Sequence, residues 1–383
     1  MNRKPQILLL AVALSASLLL SQETGARYLI ITHNDYYDAL QPLAQWKTQK
    51  GMKAKVVTLS ETGTDSAQIR NYIINAYNTW SIQPEYLLFV GNKYQIPFPR
   101  FYHPYSIVSF SDNYYANVSG DFHNELYHGR LWVSDTVEVQ TVVAKILGYE
   151  KNPHMADSLW FRKGVTIVNE YEQGQPPSDS LYWEDARHAI QCMLNADYVH
   201  IDSFSFNLGH DSTDVINALN DGRTYILYRG IGFVDWLWPF QGIRPAQMTN
   251  GFKMPVVLSA TCATVEGIGH EWLTAGTPSQ PKGVVGFFGT TTSLFAAAEM
   301  RSALCRGTTA SIFGDSSSNL GKAAEAGRLQ YYAQFQDLID YHSWTCLGDP
   351  DMAVWTHTPK ELTVGHNMYF STGICTNEPN FRL

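Results

Sequence analysis

Cys262 is the residue whose setting points most directly to chemistry. It follows Pro255 to Ala260, an apolar run that reads as a buried strand, with Thr261 between them. A thiol just beyond a buried strand lies among backbone N–H groups with little competing water. That is the setting of a positioned thiol nucleophile. A cysteine there can equally fill a strand end and stay inert, and spacing alone leaves both readings open. Two further runs end in a related way. Thr224 to Tyr228 leads into Arg229-Gly230-Ile231-Gly232, and Gly283 to Phe288 leads into Gly289 and three threonines. Ligands of an open parallel sheet bind beyond the carboxyl ends of its strands, where small residues let a peptide approach the backbone.

A thiol nucleophile needs a base, so the histidines and acids near these ends matter. His270 stands eight residues after Cys262, in Gly269-His270-Glu271-Trp272 at the expected start of a helix, and is a candidate substitute base. His210, in Gly209-His210-Asp211, reads as a turn residue. Asp235 and Glu266 are acids near two strand ends and read as alternative bases or as solvated loop charges. The five cysteines (192, 262, 305, 346 and 375) fit no metal-binding spacing. Their odd number leaves at least one thiol unpaired within the chain.

The elements that would position these groups alternate along the chain. Strands are expected at Tyr28 to Ile31, Lys55 to Thr58 and Tyr86 to Val90, with helices at Asp38 to Lys50 and Ile69 to Trp80. Ile96 to Ser111, rich in Pro, Tyr and Phe, reads as an irregular surface segment. Val137 to Tyr149 reads as a helix, and the polar stretch Lys151 to Ser158 as a subdomain boundary. The alternation resumes with a strand at Val165 to Val168, a helix at Trp183 to Leu194, a strand at Tyr198 to Ser203 and a helix from Asp214 that ends at Gly222. Such a pattern predicts an α/β fold of two subdomains with mostly parallel sheets flanked by helices.

The 383 residues are 45% hydrophobic and 13% aromatic, enough for a large core. The net charge of -8 and the lack of a basic run argue against nucleic acid as a partner. Arg3 and Lys4 followed by the apolar stretch Ile7 to Leu20 read as a secretory signal, with cleavage after residue 16 or 26. The stretch is short for a membrane span, so no stable span is expected after cleavage. The expected division is 1–26 signal, 27–152 first α/β subdomain, 153–357 second subdomain, and 358–383 the start of a further β-domain or a tail. No Gly-x-Gly-x-x-Gly follows the first strand, which sets aside a dinucleotide-binding oxidoreductase.

Several segments, in order, resemble the gingipain-type cysteine peptidases (peptidase family C25, caspase-like clan). They are Tyr28 to Thr32, Trp46-Lys47 to Gly51, Tyr86 to Gly91 with Ile96-Pro97, Ser111-Asp112 to Tyr115, Gly129-Arg130-Leu131, Lys282 to Gly289 and Gly348-Asp349-Pro350. The resemblance implies a caspase-like second subdomain, protein or peptide substrates, no required cofactor with structural calcium possible, and a secreted or cell-surface bacterial location. It implies a Cys–His dyad on consecutive strand ends. Cys262, in Ser259-Ala260-Thr261-Cys262-Ala263, takes the nucleophile's place. The base's place, in a Tyr-x-Gly-His-Gly frame, is held by Ile231, 31 residues earlier. The family's acid that orients the histidine falls on Glu170 or Glu172, and its oxyanion donors on the backbone of Gly232 and Cys262. Val90-Gly91-Asn92 stands where the family has Val-Gly-Asp. Isoleucine neither accepts a proton from a thiol nor gives one to a leaving amine. Two functions are therefore expected from this frame: a secreted cysteine endopeptidase working feebly with another base, or a non-catalytic relative that binds peptides or proteins.

Overall fold

The computed structural model describes residues 24–104, 107–170, 178–292, 298–314 and 318–360. Residues 1–23 of the expected signal segment, Glu172, Cys375 and the tail beyond 360 lie outside these residues. The first half contains β1 (Tyr28–Thr32), α1 (Tyr37–Gln49), β2 (Ala54–Thr58), α2 (Leu59–Thr62), α3 (Ser66–Thr79), β3 (Tyr86–Val90), β4 (Arg100–His103), β5 (Ile107–Phe110), α4 (Asn113–Ala116), β6 (Tyr127–Leu131) and α5 (Thr136–Lys151). The second contains β7 (Lys163–Val168), α6 (Ser178–Asn195), β8 (His200–Ser205), α7 (Ser212–Asp221), β9 (Tyr225–Phe233), β10 (Asp235–Trp236), β11 (Val256–Cys262), α8 (His270–Leu273), β12 (Gly286–Thr290), α9 (Ala298–Gly314), α10 (Leu320–Phe335), α11 (Ile339–Ser343) and β13 (Trp344–Leu347).

Ten strands form one sheet in the order β2-β1-β3-β6-β13-β12-β11-β9-β7-β8, with β10 folded back on β9. Every pairing along the path is parallel except that of β12 with β13. The strands on either side of the β12–β13 junction therefore run in opposite directions, with β13 running alongside those of the first half. The carboxyl ends of β9, β11 and β12, with Cys262 among them, share one edge of the sheet; those of β1, β3 and β6 lie on the other. All residues of β1, β3, β11 and β12 are buried, because helices cover both faces. That is why these strands read as unbroken apolar runs.

Helix starts follow side-chain caps. Asp65 accepts from Gln68 N at 2.8 Å and begins α3 three residues before its first core position, Ile69. Asp211 accepts from Thr213 N at 2.6 Å at the start of α7, and Gly222, at φ +99°, ends that helix. Two differences from expectation stand out. The stretch 96–111 is not an irregular surface segment: it holds the antiparallel pair β4 and β5, and Ile96, Phe98, Ser109 and Ser111 are buried. The strand from Thr224 does not end at Tyr228; it continues through Gly232 as β9.

Most of the residues that carry the family resemblance turn out to be scaffold. Lys47 Nζ, fully buried, lies 2.5 Å from Asp349, 3.0 Å from Glu150 and 3.1 Å from Asp351. Tyr28 donates to Asp349 at 2.7 Å. Three carboxylates thus converge on one ammonium. Burial opposes the charge on Lys47, but the carboxylates prevail and raise its pKa. Arg130 grips both oxygens of Asp112, at 2.6 and 2.8 Å, and donates to Gly91 O at 2.8 Å. Asn92 caps its own turn by accepting from Tyr94 N at 2.9 Å. Among the described residues no helix is long and apolar enough to cross a membrane.

Candidate active site

The site is built where β9 and β11 end. The two strands pair in register up to Arg229 and Ala260. Beyond that point Cys262 pairs with Phe233, so three residues of β9 (Gly230, Ile231, Gly232) oppose the single Thr261. A bulge of this kind bends the strand and re-aims its residues. Its glycines are required by crowding. A Cβ on Gly230 would lie 2.7 Å from Asn169 Cβ, and one on Gly232 would lie 2.8 Å from Thr261 Cγ2 and from Asp235 O. The carbonyl of Ile231 accepts from Tyr228 Oη at 2.6 Å and from Leu237 N at 3.3 Å.

The turn after Cys262 is equally fixed. Ala263 adopts φ +47°, a left-handed conformation uncommon for alanine. It is held because Thr290 Oγ1 accepts from Ala263 N at 3.1 Å and donates to Thr261 O at 2.6 Å. The threonine run after β12, noted in the sequence, thus supports the cysteine turn.

Cys262 is 8% exposed. Its sulfur accepts from Arg301 Nη1 at 2.9 Å. Arg301 stands on α9, and its Nε lies 3.6 Å from Asp340 Oδ2 of α11. Both charged side chains are buried. Burial opposes the charge on Arg301, yet Asp340 and Cys262 outweigh it and raise its pKa. Burial pushes the Asp340 carboxyl up, against the pull of Arg301 and Thr292. A second arginine locks α9 in place. Arg229 donates to Asp185 Oδ2 at 2.7 Å, to Ala260 O at 2.7 Å and to Ala298 O at 3.0 Å. It thereby ties β9, β11, α6 and α9 together. A guanidinium beside sulfur stabilises negative charge there, but it stays protonated and cannot relay a proton.

The other candidates fall as follows. Among the described residues no imidazole is hydrogen-bonded to Cys262. His270 opens α8 as expected, but its Nε2 is directed at Glu138 Oε2 of α5, 3.6 Å away. His210 accepts from Ser205 N through Nδ1 at 3.3 Å and serves the turn. Asp235 accepts from Trp236 N and Gly242 N and pairs with Arg244 at 2.8 Å. Glu266 pairs with Lys93 at 2.5 Å. Glu170 is buried and accepts from Trp183 Nε1 at 2.9 Å and Ser205 Oγ at 2.7 Å. In the aromatic stretch 233–240, Trp236 stacks on Tyr228 at 4.4 Å and is buried with Phe240, whereas Phe233, Val234 and Trp238 face outward.

Arg301 and Asp340 escaped the sequence reading. The one available signal was Arg301 in Ala298-Glu-Met-Arg301-Ser-Ala-Leu-Cys305, where the one acid, Glu299, stands two residues away and so on another face of a helix.

The profile of peptidase family C25 matches residues 21–355. Lys-gingipain of Porphyromonas gingivalis is 26% identical over 250 residues, which is 63% of this chain and 14% of that protein. Gingipain R2 of the same organism is 22% identical over 365 residues, 90% of this chain and 48% of that protein. The chain thus spans less than half the length of either relative. The crystal structure of the Arg-specific cysteine proteinase gingipain R superposes with a TM-score of 0.76 at 18% identity, covering 89% of this chain and 80% of that one. The mostly parallel sheet flanked by helices fits the caspase-like fold that this likeness shows. With the profile running from before β1 to beyond β13, the chain belongs to peptidase family C25.

Proposed function

We propose that this chain is a C25 relative that binds peptides or proteins at the edge carrying Cys262 and hydrolyses peptide bonds feebly if at all. The observation that carries the reading is the Arg301–Cys262 contact of 2.9 Å, at a site where the base's position holds Ile231. Peptide hydrolysis by a thiol needs a group that takes the thiol proton and returns one to the leaving amine. Arg301 does neither. Where base and nucleophile act as a unit, losing one costs on the order of 10⁶ in turnover, by serine-protease precedent. A second reading, a slow cysteine endopeptidase, rests on family membership and on Cys262 standing at the strand end.

Export is part of the proposal. It rests on the basic-then-apolar pattern of Arg3, Lys4 and Ile7 to Leu20. Of the two cleavage positions, the one after residue 16 is favoured. Thr24 N bonds Ser81 Oγ at 2.9 Å, Gly25 bridges Ile82, and Ala26 is buried, so cleavage after residue 26 would remove packed residues.

The test incubates the full chain and its Cys262→Ala variant with a diverse peptide panel, reading cleavage by mass spectrometry and retention by fluorescence anisotropy. The expected result is retention of some peptides by both proteins without cleavage. Cleavage that disappears in Cys262→Ala overturns the proposal in favour of the endopeptidase.

A further inference from the structure

A Cys–His dyad does two separable things. It charges the sulfur, and it protonates the departing group. Among the described residues, Cys262 has a cation beside its sulfur and no imidazole hydrogen-bonded to it. The guanidinium of Arg301 sits 2.9 Å from the sulfur and is kept cationic by buried Asp340. Such a site sorts acyl compounds by their leaving group. An amide nitrogen must gain a proton before it leaves, whereas a thiolate or a phenolate departs with its own electron pair.

We propose that Cys262 is an acyl acceptor for thioesters and activated esters, not for amides; this rests on the reading of Arg301 given above. The step balances without a proton, an oxidant or a reductant. The Cys262 thiolate attacks the carbonyl carbon, and a sulfur–carbon bond forms. The bond from that carbon to the departing sulfur or oxygen breaks, and the leaving group carries the negative charge away. One anion enters and one leaves, while Arg301 remains protonated throughout. Hydrolysis of the acylated cysteine needs an activated water, so the acyl group stays on Cys262 rather than turning over. The surroundings suit an apolar acyl group. Phe233, the register partner of Cys262, is 60% exposed, and Val234 beside it is held facing outward at φ +65°.

Two probes with one acyl group test this: S-phenyl thiohexanoate and hexanoyl-p-nitroanilide. The full chain, Cys262→Ala and the double variant Arg301→Met/Asp340→Asn, which removes both buried charges together, are compared at neutral pH after circular dichroism confirms folding. Cys192, a partly buried thiol 3.7 Å from His188 Nε2 whose pKa burial raises, is the internal reference. The expected result is one hexanoyl group on Cys262 by peptide mapping, formed at least tenfold faster than on Cys192. The double variant should slow it at least tenfold, and the anilide should stay intact. Acylation of Cys262 no faster than that of Cys192, or unchanged in the double variant, overturns this inference and leaves the preceding one standing. Cys262-dependent cleavage of the anilide overturns the preceding reading and, with it, the discrimination by leaving group.

Discussion

Replacing Arg301 by methionine should expose how much of the site is held by one ion pair. The substitution keeps most of the side-chain volume but removes the cation 3.6 Å from Asp340, a carboxylate with no exposed surface. What remains for Asp340 among the described residues is a long contact from Thr292 Oγ1 at 3.4 Å and the Ser343 hydroxyl. Breaking a buried pair from one side typically costs about 3–5 kcal/mol, because the orphaned charge stays desolvated. With a urea dependence of about 3 kcal/mol per molar, the midpoint should fall by roughly 1–1.7 M. Adding Asp340→Asn removes the orphan, and the double variant should recover more than half of that loss. The assay is urea unfolding followed in parallel by far-UV circular dichroism and tryptophan fluorescence, to which Trp344 beside α11 contributes. A loss below about 1 kcal/mol for Arg301→Met, or a double variant no more stable than the single one, refutes the assignment of a desolvated pair.

Lys47→Met should likewise cost about 3–5 kcal/mol near neutrality. Lys47 titrates above its ordinary value when folded. Its contribution is therefore complete below about pH 10.5 and is lost as the pH rises beyond, so the gap between wild type and variant, measured by urea unfolding, should stay constant up to about pH 10 and narrow only above it. His342 is pushed down to about 3 by burial, with His103 and Arg328 adding to the effect. The unfolded chain binds that proton first, so stability should fall as the pH drops from about 6.5, and His342→Gln should flatten this limb in acid-titration unfolding. Lys145 is buried and donates to Leu273 O at 2.6 Å and Trp272 O at 3.2 Å, and burial holds its pKa well down. Lys145→Met should cost about 1–3 kcal/mol at high pH by taking the donor from Leu273 O and leaving Trp272 O to Val284 N alone, and less at neutral pH, where the wild type must shed a proton to fold. Ile231→His supplies the group that the site lacks for an amide leaving group and should raise Cys262-dependent peptide cleavage at least tenfold over wild type in the peptide-panel assay; no gain would contradict that.

The strand ends were legible because parallel strands covered on both faces leave continuous apolar runs, and Cys262 follows one of them directly. Ile231 stood out only against the family's frame. The bulge that carries it was hidden, since Arg229 to Gly232 looks like a loop and is in fact strand. The stretch 96–111 was misread because its aromatic residues alternate between core and surface, so a Pro-rich composition masked the β4–β5 pair. Arg301 and Asp340 were invisible for a different reason. α9 and α10 pack so closely that a Cβ on Gly327 would lie 2.3 Å from Thr308 Oγ1. Helices pressed together in this way bury small and polar residues on several faces and show no clean apolar stripe. No local pattern announces that a guanidinium 39 residues beyond Cys262 ends at its sulfur.

The central place of β13 bears on how the chain acquires its shape. This strand comes from the end of the described fold, yet it fills the gap between β6 and β12. It meets β6 through the single register pair Leu347–Arg130 and the bond from Gly348 N to Arg130 O at 3.0 Å. Until residue 347 has been made, the sheet is two pieces, each with a raw edge. Both edges are templates for pairing with other chains, and the contact that closes the β6 edge, Arg130 with Leu347, spans more than two hundred residues, which slows folding. A nascent or truncated chain ending before Trp344 should therefore persist as two sticky half-sheets. Delivery across a membrane before folding would spare the cell that interval.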